Sequence, residues 1–152
     1  MRSGLAVLLL TLLPSAAVYS ASPPRPAKSE YLITTGAGFL LEKERGAYYG
    51  MNFSIRKPLP GAVYLVALFD NPEVPDTPLR TELVVPADAT EIQFQSPGVH
   101  QIGNNKRYEV RLTLYLDADR TKVLGTHRQD VLFSMPPAFL IQLFDQFGVA
   151  VL

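Results

Sequence analysis

The side chains with the best claim to chemistry here are two histidines, a close pair of aspartates and a glycine-rich triplet. His100 and His127 are the whole histidine complement. Metal ligands come at short fixed spacings or converge on one face of an element. One histidine falls in a loop and the other on a strand, with no HxH or HxxxH spacing, so they read as ordinary histidines. Asp117 and Asp119 stand two apart at a hairpin tip. Calcium asks for six or more oxygens, and the glycine and distal glutamate of a calcium loop are missing. A glycosidase pair flanks a cleft instead of sharing one tip, so these aspartates read as turn-formers. Gly36-Ala37-Gly38 lacks the GxGxxG spacing and any following Lys-Ser or Lys-Thr, which makes it a strand break and not a phosphate cradle. No GxSxG sets a serine at a strained elbow, and a chain without cysteine has no thiol chemistry. The expectation is a non-enzymatic protein with no catalytic residue, metal or cofactor.

What remains is apolar surface. In residues 136–152, after Pro136-Pro137, the side chains Phe139, Leu140, Leu143, Phe144 and Phe147 recur at helical spacing. Gln142, Asp145 and Gln146 leave one thin polar side, so the segment is expected either to cap the fold as a helix or extra strand, or to dock on a partner. As a docking element it should be removable, leaving a folded domain that has lost its partner. Tyr48 and Tyr115 fall on the polar sides of their strands. They are the other partner-binding candidates, unless they pack on neighbouring Arg or Lys stems.

The elements that position these groups read as strands. Tyr108, Val110, Leu112, Leu114 and Leu116 alternate with Glu109, Arg111, Thr113 and Tyr115, a period of two that puts one face inward. Residues 117–120 turn the chain. The return strand, 121–133, loses its alternation near Gly125, where a bulge is expected. Tyr49, Met51, Phe53 and Ile55 share one face of residues 47–55, and residues 62–69 are apolar on both faces, which marks a central strand. Residues 79–85 and 90–94 add two more. Residues 31–35 and 39–44 read as a first strand split by the glycines, one half in each sheet. Seven to eight strands with turns every 8–12 residues predict an all-β antiparallel sandwich over residues 30–134, with the apolar segment 135–152 as helix or extra strand.

Tyr108 opens its strand after the loop 101–107 and resembles the tyrosine corner of immunoglobulin-like and fibronectin-III-like domains. The resemblance implies that its hydroxyl bonds upstream backbone. Lacking Cys and Trp, the chain departs from antibody domains, and Tyr64 is expected in the place of their central-strand Trp. Such sandwiches host many functions, so the resemblance implies fold alone.

Length and charge bound the rest. Residues 1–20 read as a secretory signal peptide, with Arg2 ahead of a short apolar core and a cut near Ser20 or Ala21. That core is shorter than the roughly 20 residues of a membrane span, so no transmembrane span remains after cleavage. Residues 21–29 form a Pro-rich leader expected to stay unpacked. Removing Arg2 from the 14 basic residues leaves 13 against 14 acidic ones, a formal charge of −1. No basic stripe is present for nucleic acid. Export without cysteine suits a bacterial periplasm, with the extracellular space as the other possibility. The functional expectation is an exported, non-enzymatic binding or adaptor domain engaging another protein. A periplasmic inhibitor or immunity-type protein, or a small hydrophobic-ligand carrier, are the other readings.

Overall fold

The computed structural model describes residues 26–152; the proposed signal peptide and residues 21–25 of the leader lie outside them. The elements run β1 (Leu32–Glu42), β2 (Gly46–Ile55), β3 (Val63–Phe69), β4 (Leu79–Val85), β5 (Glu91–Gln95), β6 (Gln101–Ile102), β7 (Lys106–Tyr115), β8 (Val123–Phe133), α1 (Pro137–Phe147) and β9 (Ala150–Val151). A three-stranded sheet in the order β1-β2-β5 packs on a four-stranded sheet in the order β4-β3-β7-β8. Both are antiparallel. The all-β sandwich is therefore present. β6 and β9 form a small parallel pair at one end.

The core between the sheets follows from the alternation. Tyr108, Val110, Leu112 and Leu114 all point inward and are buried. Tyr49, Phe53 and Phe69 are fully buried, and their rings meet those of Phe39, Phe94 and one another at 4.3–6.0 Å. Aromatic pairs at such spacings add to the transfer free energy of the rings. β3 is central, flanked by β4 and β7, as its two apolar faces require. Its inward positions are Val63, Leu65, Ala67 and Phe69. Tyr64 therefore faces outward, not into the place of a core Trp, and Tyr49 and Phe69 supply the central rings instead.

The first strand is not split. β1 pairs with β2 along its whole length, and its register shifts once, between Thr34 and Gly36. The extra residue, Thr35, changes the parity of the strand. Leu32 and Thr34 point inward before it, and Phe39 and Leu41 after it. A bulge thus does the work expected of a sheet switch, at the cost of one unpaired residue. The second bulge lies where expected: Leu114 pairs with Gly125 but Tyr115 with Val123, leaving Leu124 as the extra residue.

The leader is also more involved than expected. Thr34 N donates to Ala27 O at 3.0 Å, Lys28 bridges Ile33, and Ala27 N donates to the Gln129 carboxamide oxygen at 2.8 Å. Its last residues therefore lie along β1 and fasten it to β8.

Tyr108 makes the bond its position implied. Gly103 N donates to its hydroxyl at 2.8 Å, five residues upstream. Tyr108→Phe is expected to lower unfolding free energy by about 1 kcal/mol, near the net value of one hydrogen bond, since half-buried Gly103 can recruit water. Urea unfolding followed by circular dichroism measures this; an unchanged midpoint would show that the bond carries no weight.

Candidate functional site

Chemistry-bearing residues are placed as structural ones. His127 lies on the inward face of β8, 3% exposed, with Nε2 2.8 Å from Thr34 Oγ1 and Nδ1 2.8 Å from Ser29 Oγ. Its ring meets Phe53 edge-on at 5.4 Å. Burial holds its pKa below the ordinary histidine value, because the charged form would lose its water. The Asp117 carboxylate accepts bonds from the Lys122 and Thr121 amides and the Thr121 hydroxyl at the hairpin tip, which lower its pKa. It closes the turn, with Arg120 in the left-handed region at φ 57°. Among the described residues no three His, Asp or Glu side chains converge as metal ligands.

The C-terminal segment is both helix and strand. Pro137 starts α1, where a missing N–H costs nothing. Gly148 ends it in the left-handed conformation at φ 65° and donates to Phe144 O at 2.9 Å. The chain then continues as β9 against β6: Ala150 N donates to His100 O, Leu152 N to Ile102 O, and Asn104 N to Leu152 O. Leu143 and Val149 are buried in the core, and Phe139, Leu140 and Phe147 pack half-buried against it. Of the five helix residues expected to meet a partner, Leu143 is therefore enclosed within the fold, and Phe144 stands outward at 62% exposure beside Ile141 at 74%.

The two tyrosines part company. Tyr48 is buried, which corrects its assignment to a polar, accessible face. The Arg45 guanidinium lies 3.7 Å above its ring and is itself held by the Gln95 carboxamide and the Ser96 carbonyl. Tyr48 is thus the tyrosine that packs on an arginine. Burial raises its hydroxyl pKa, partly offset by Arg45.

Tyr115 faces outward, and the sheet register gives it company that sequence spacing concealed. Tyr115 pairs with Tyr64 on one side and Val123 on the other, and Tyr64 pairs with Val84. These four residues from four strands form one row across the outer face of the larger sheet. Val84 and Val123 at its ends are 58% and 57% exposed, and Leu116 beside it is exposed too. The next rows mix Val66 and Leu68 of β3 with the charged or polar Glu82, Thr113, Arg80 and Arg111. A continuous apolar row is a stronger signal than scattered exposed side chains. Tyr64, Val84 and Val123 were missed from sequence because only pairing reveals that they are neighbours. No model of a protein family matches the chain, and no curated protein matches it.

Proposed function

We propose that this chain is an exported, periplasmic, non-enzymatic binding domain that engages another protein through the row Val84–Tyr64–Tyr115–Val123. The observation that carries this reading is the row itself: two tyrosines and two valines, laid side by side by strand register on the outer face of the larger sheet. Tyrosine suits an interface because it offers a large rigid area with few rotors and a polar tip. The side chains that could have served catalysis are committed elsewhere, His127 to an interior hydroxyl pair and Asp117 to a turn. The three-plus-four strand division and the Tyr108 bond support a fibronectin-III-like identity for the scaffold. Export rests on the signal-like residues 1–20. Among the described residues no helix is long and apolar enough to cross a membrane.

The test is a crosslinking pull-down from periplasm with Tyr115→Glu. The variant is expected to lose the partner while its melting temperature falls by only a few degrees, since a cross-strand aromatic pair is worth about 0.2–1 kcal/mol. Ile141→Asp with Phe144→Glu tests the helix face in parallel. If that double variant loses the partner and Tyr115→Glu keeps it, the row is the wrong surface.

A further inference from the structure

We propose that two copies of this chain pair through β4, antiparallel and centred on Thr81, so that their four-stranded sheets join into one. β4 presents a row of unused backbone groups. Asp70 N donates to Glu109 O, so even-numbered residues of β3 turn their backbone toward β7 and odd-numbered ones toward β4. In β4 the partners of those odd residues are Leu79, Thr81, Leu83 and Val85. Arg80, Glu82 and Val84 therefore aim their N–H and C=O groups off the sheet. Among the described residues nothing bonds those backbone groups. The described end of the leader lies at the other edge of this sheet, bonded to β8.

Natural sheets blunt free edges with bulges, covering segments, brevity or charge. β1 carries the Thr35 bulge and the leader, β8 carries the bulge at Leu124, and β5 is five residues long. β4 pairs with β3 from Leu79 to Val85 without a register shift and holds no proline. Its two charges, Arg80 and Glu82, are opposite in sign and two residues apart. A lone charge on an edge repels its own copy, whereas such a pair is its own complement. Within one copy the two already pair on the outer face, and Glu82 also meets Arg120. A carboxylate has acceptor sites for a further cation.

Register then selects the occupant. With Thr81 opposite Thr81 of a second copy, Arg80 faces Glu82 and Glu82 faces Arg80, each pair exchanging two backbone bonds. On the inward side Leu79 faces Leu83 and Leu83 faces Leu79. Both leucines are half-buried within one copy, packed against the core at the margin of the sheet, and each gains cover from the other. A two-fold axis at Glu82 would set that carboxylate against itself. One at Leu83 would set Glu82 against Val84 and leave Arg80 opposite Pro86, which has no N–H. An isologous contact repeats each favourable pair. An unrelated strand would have to supply this order of charge and leucine, which a second copy already carries.

The register is directly testable because the chain has no cysteine of its own. The two Thr81 residues would form a non-hydrogen-bonded pair with Cα atoms about 4.5 Å apart, within disulfide reach. The two Val84 residues would lie about 20 Å apart at the usual rise along a strand. Thr81→Cys chains are expected to form disulfide-linked dimers at least fivefold faster than Val84→Cys chains. In sedimentation velocity the wild-type chain should show a concentration-dependent dimer. Glu82→Arg, which sets like charges opposite, should weaken it tenfold or more with an unchanged circular-dichroism spectrum, and adding Arg80→Glu should restore it. Tyr115→Glu, two strands away, should leave the dimer intact, so the row and the edge are read separately. A wild-type chain that sediments as a monomer at all concentrations overturns the proposal. So do Thr81→Cys chains that crosslink no faster than Val84→Cys chains, or a charge reversal that Arg80→Glu fails to rescue.

Discussion

Removing residues 136–152 is expected to unfold the sandwich, not to trim it. The deletion takes Leu143, 3% exposed, and Val149, fully buried, out of the core. It also removes β9 from β6, and with it three backbone bonds to His100, Ile102 and Asn104. Asn104 is a hub here, since its side chain also brackets Met135 through bonds at 2.8 and 3.1 Å. A single Leu→Ala core truncation costs about 2–5 kcal/mol. A whole domain is stable by only about 5–15 kcal/mol, so losing two core side chains and a strand takes most of that margin. Urea unfolding of the truncated chain should show no cooperative transition, and Leu143→Ala in the full chain should lower the unfolding free energy by about 2–4 kcal/mol. A truncated chain that unfolds with the full-length midpoint would show that the tail merely rests on the fold. Of the two readings the sequence leaves open, burial of Leu143 and Val149 and the β6–β9 bonds favour the segment as a cap of the fold over a removable docking element.

Acid should loosen the opposite flank of the molecule through His127. Its folded pKa is lowered by burial, while in the unfolded chain it titrates near 6.5. Above that value both states hold the ring neutral and nothing is lost. Below it the unfolded chain takes up a proton that the folded chain refuses, so stability falls as pH drops toward the lowered folded value. The slope approaches about 1.4 kcal/mol per pH unit for one proton. In the neutral ring one nitrogen donates and the other accepts, and both hydroxyl partners, Thr34 and Ser29, can accept from the charged ring. The cost is thus desolvation and not a lost hydrogen bond. His127→Gln should be less stable than wild type at pH 7.5, and the gap should narrow steadily toward pH 5. A gap that stays constant with pH would mean that His127 is protonated alike in both states. Because Ser29 and Ala27 anchor the leader to β8, amide exchange at residues 27–34 should rise first.

Particular elements show where sequence reading succeeds. Alternation in β7 identified a strand, its inward face and the bulge after it, because side-chain direction along a strand is a local property. The bond to the Tyr108 hydroxyl was legible for the same reason: donor and acceptor lie five residues apart. Tyr48 was misjudged because its cover, Arg45, comes from a hairpin turn whose geometry no periodicity encodes. In β1 the glycines suggested a break, yet one extra residue, Thr35, shifted the parity and kept the strand whole.

Local pattern thus settled which residues form strands, which of their faces are apolar, and that the two faces must close on one another as a sandwich. Tertiary structure alone decided which apolar faces remain open. Exposure depends on what a distant segment brings over a side chain, and strand register, not chain spacing, makes Val84, Tyr64, Tyr115 and Val123 neighbours. Hydrophobic burial has no direction of its own, so a greasy residue is drawn inward equally by any surface that reaches it. Only the paired sheets determine whether one does.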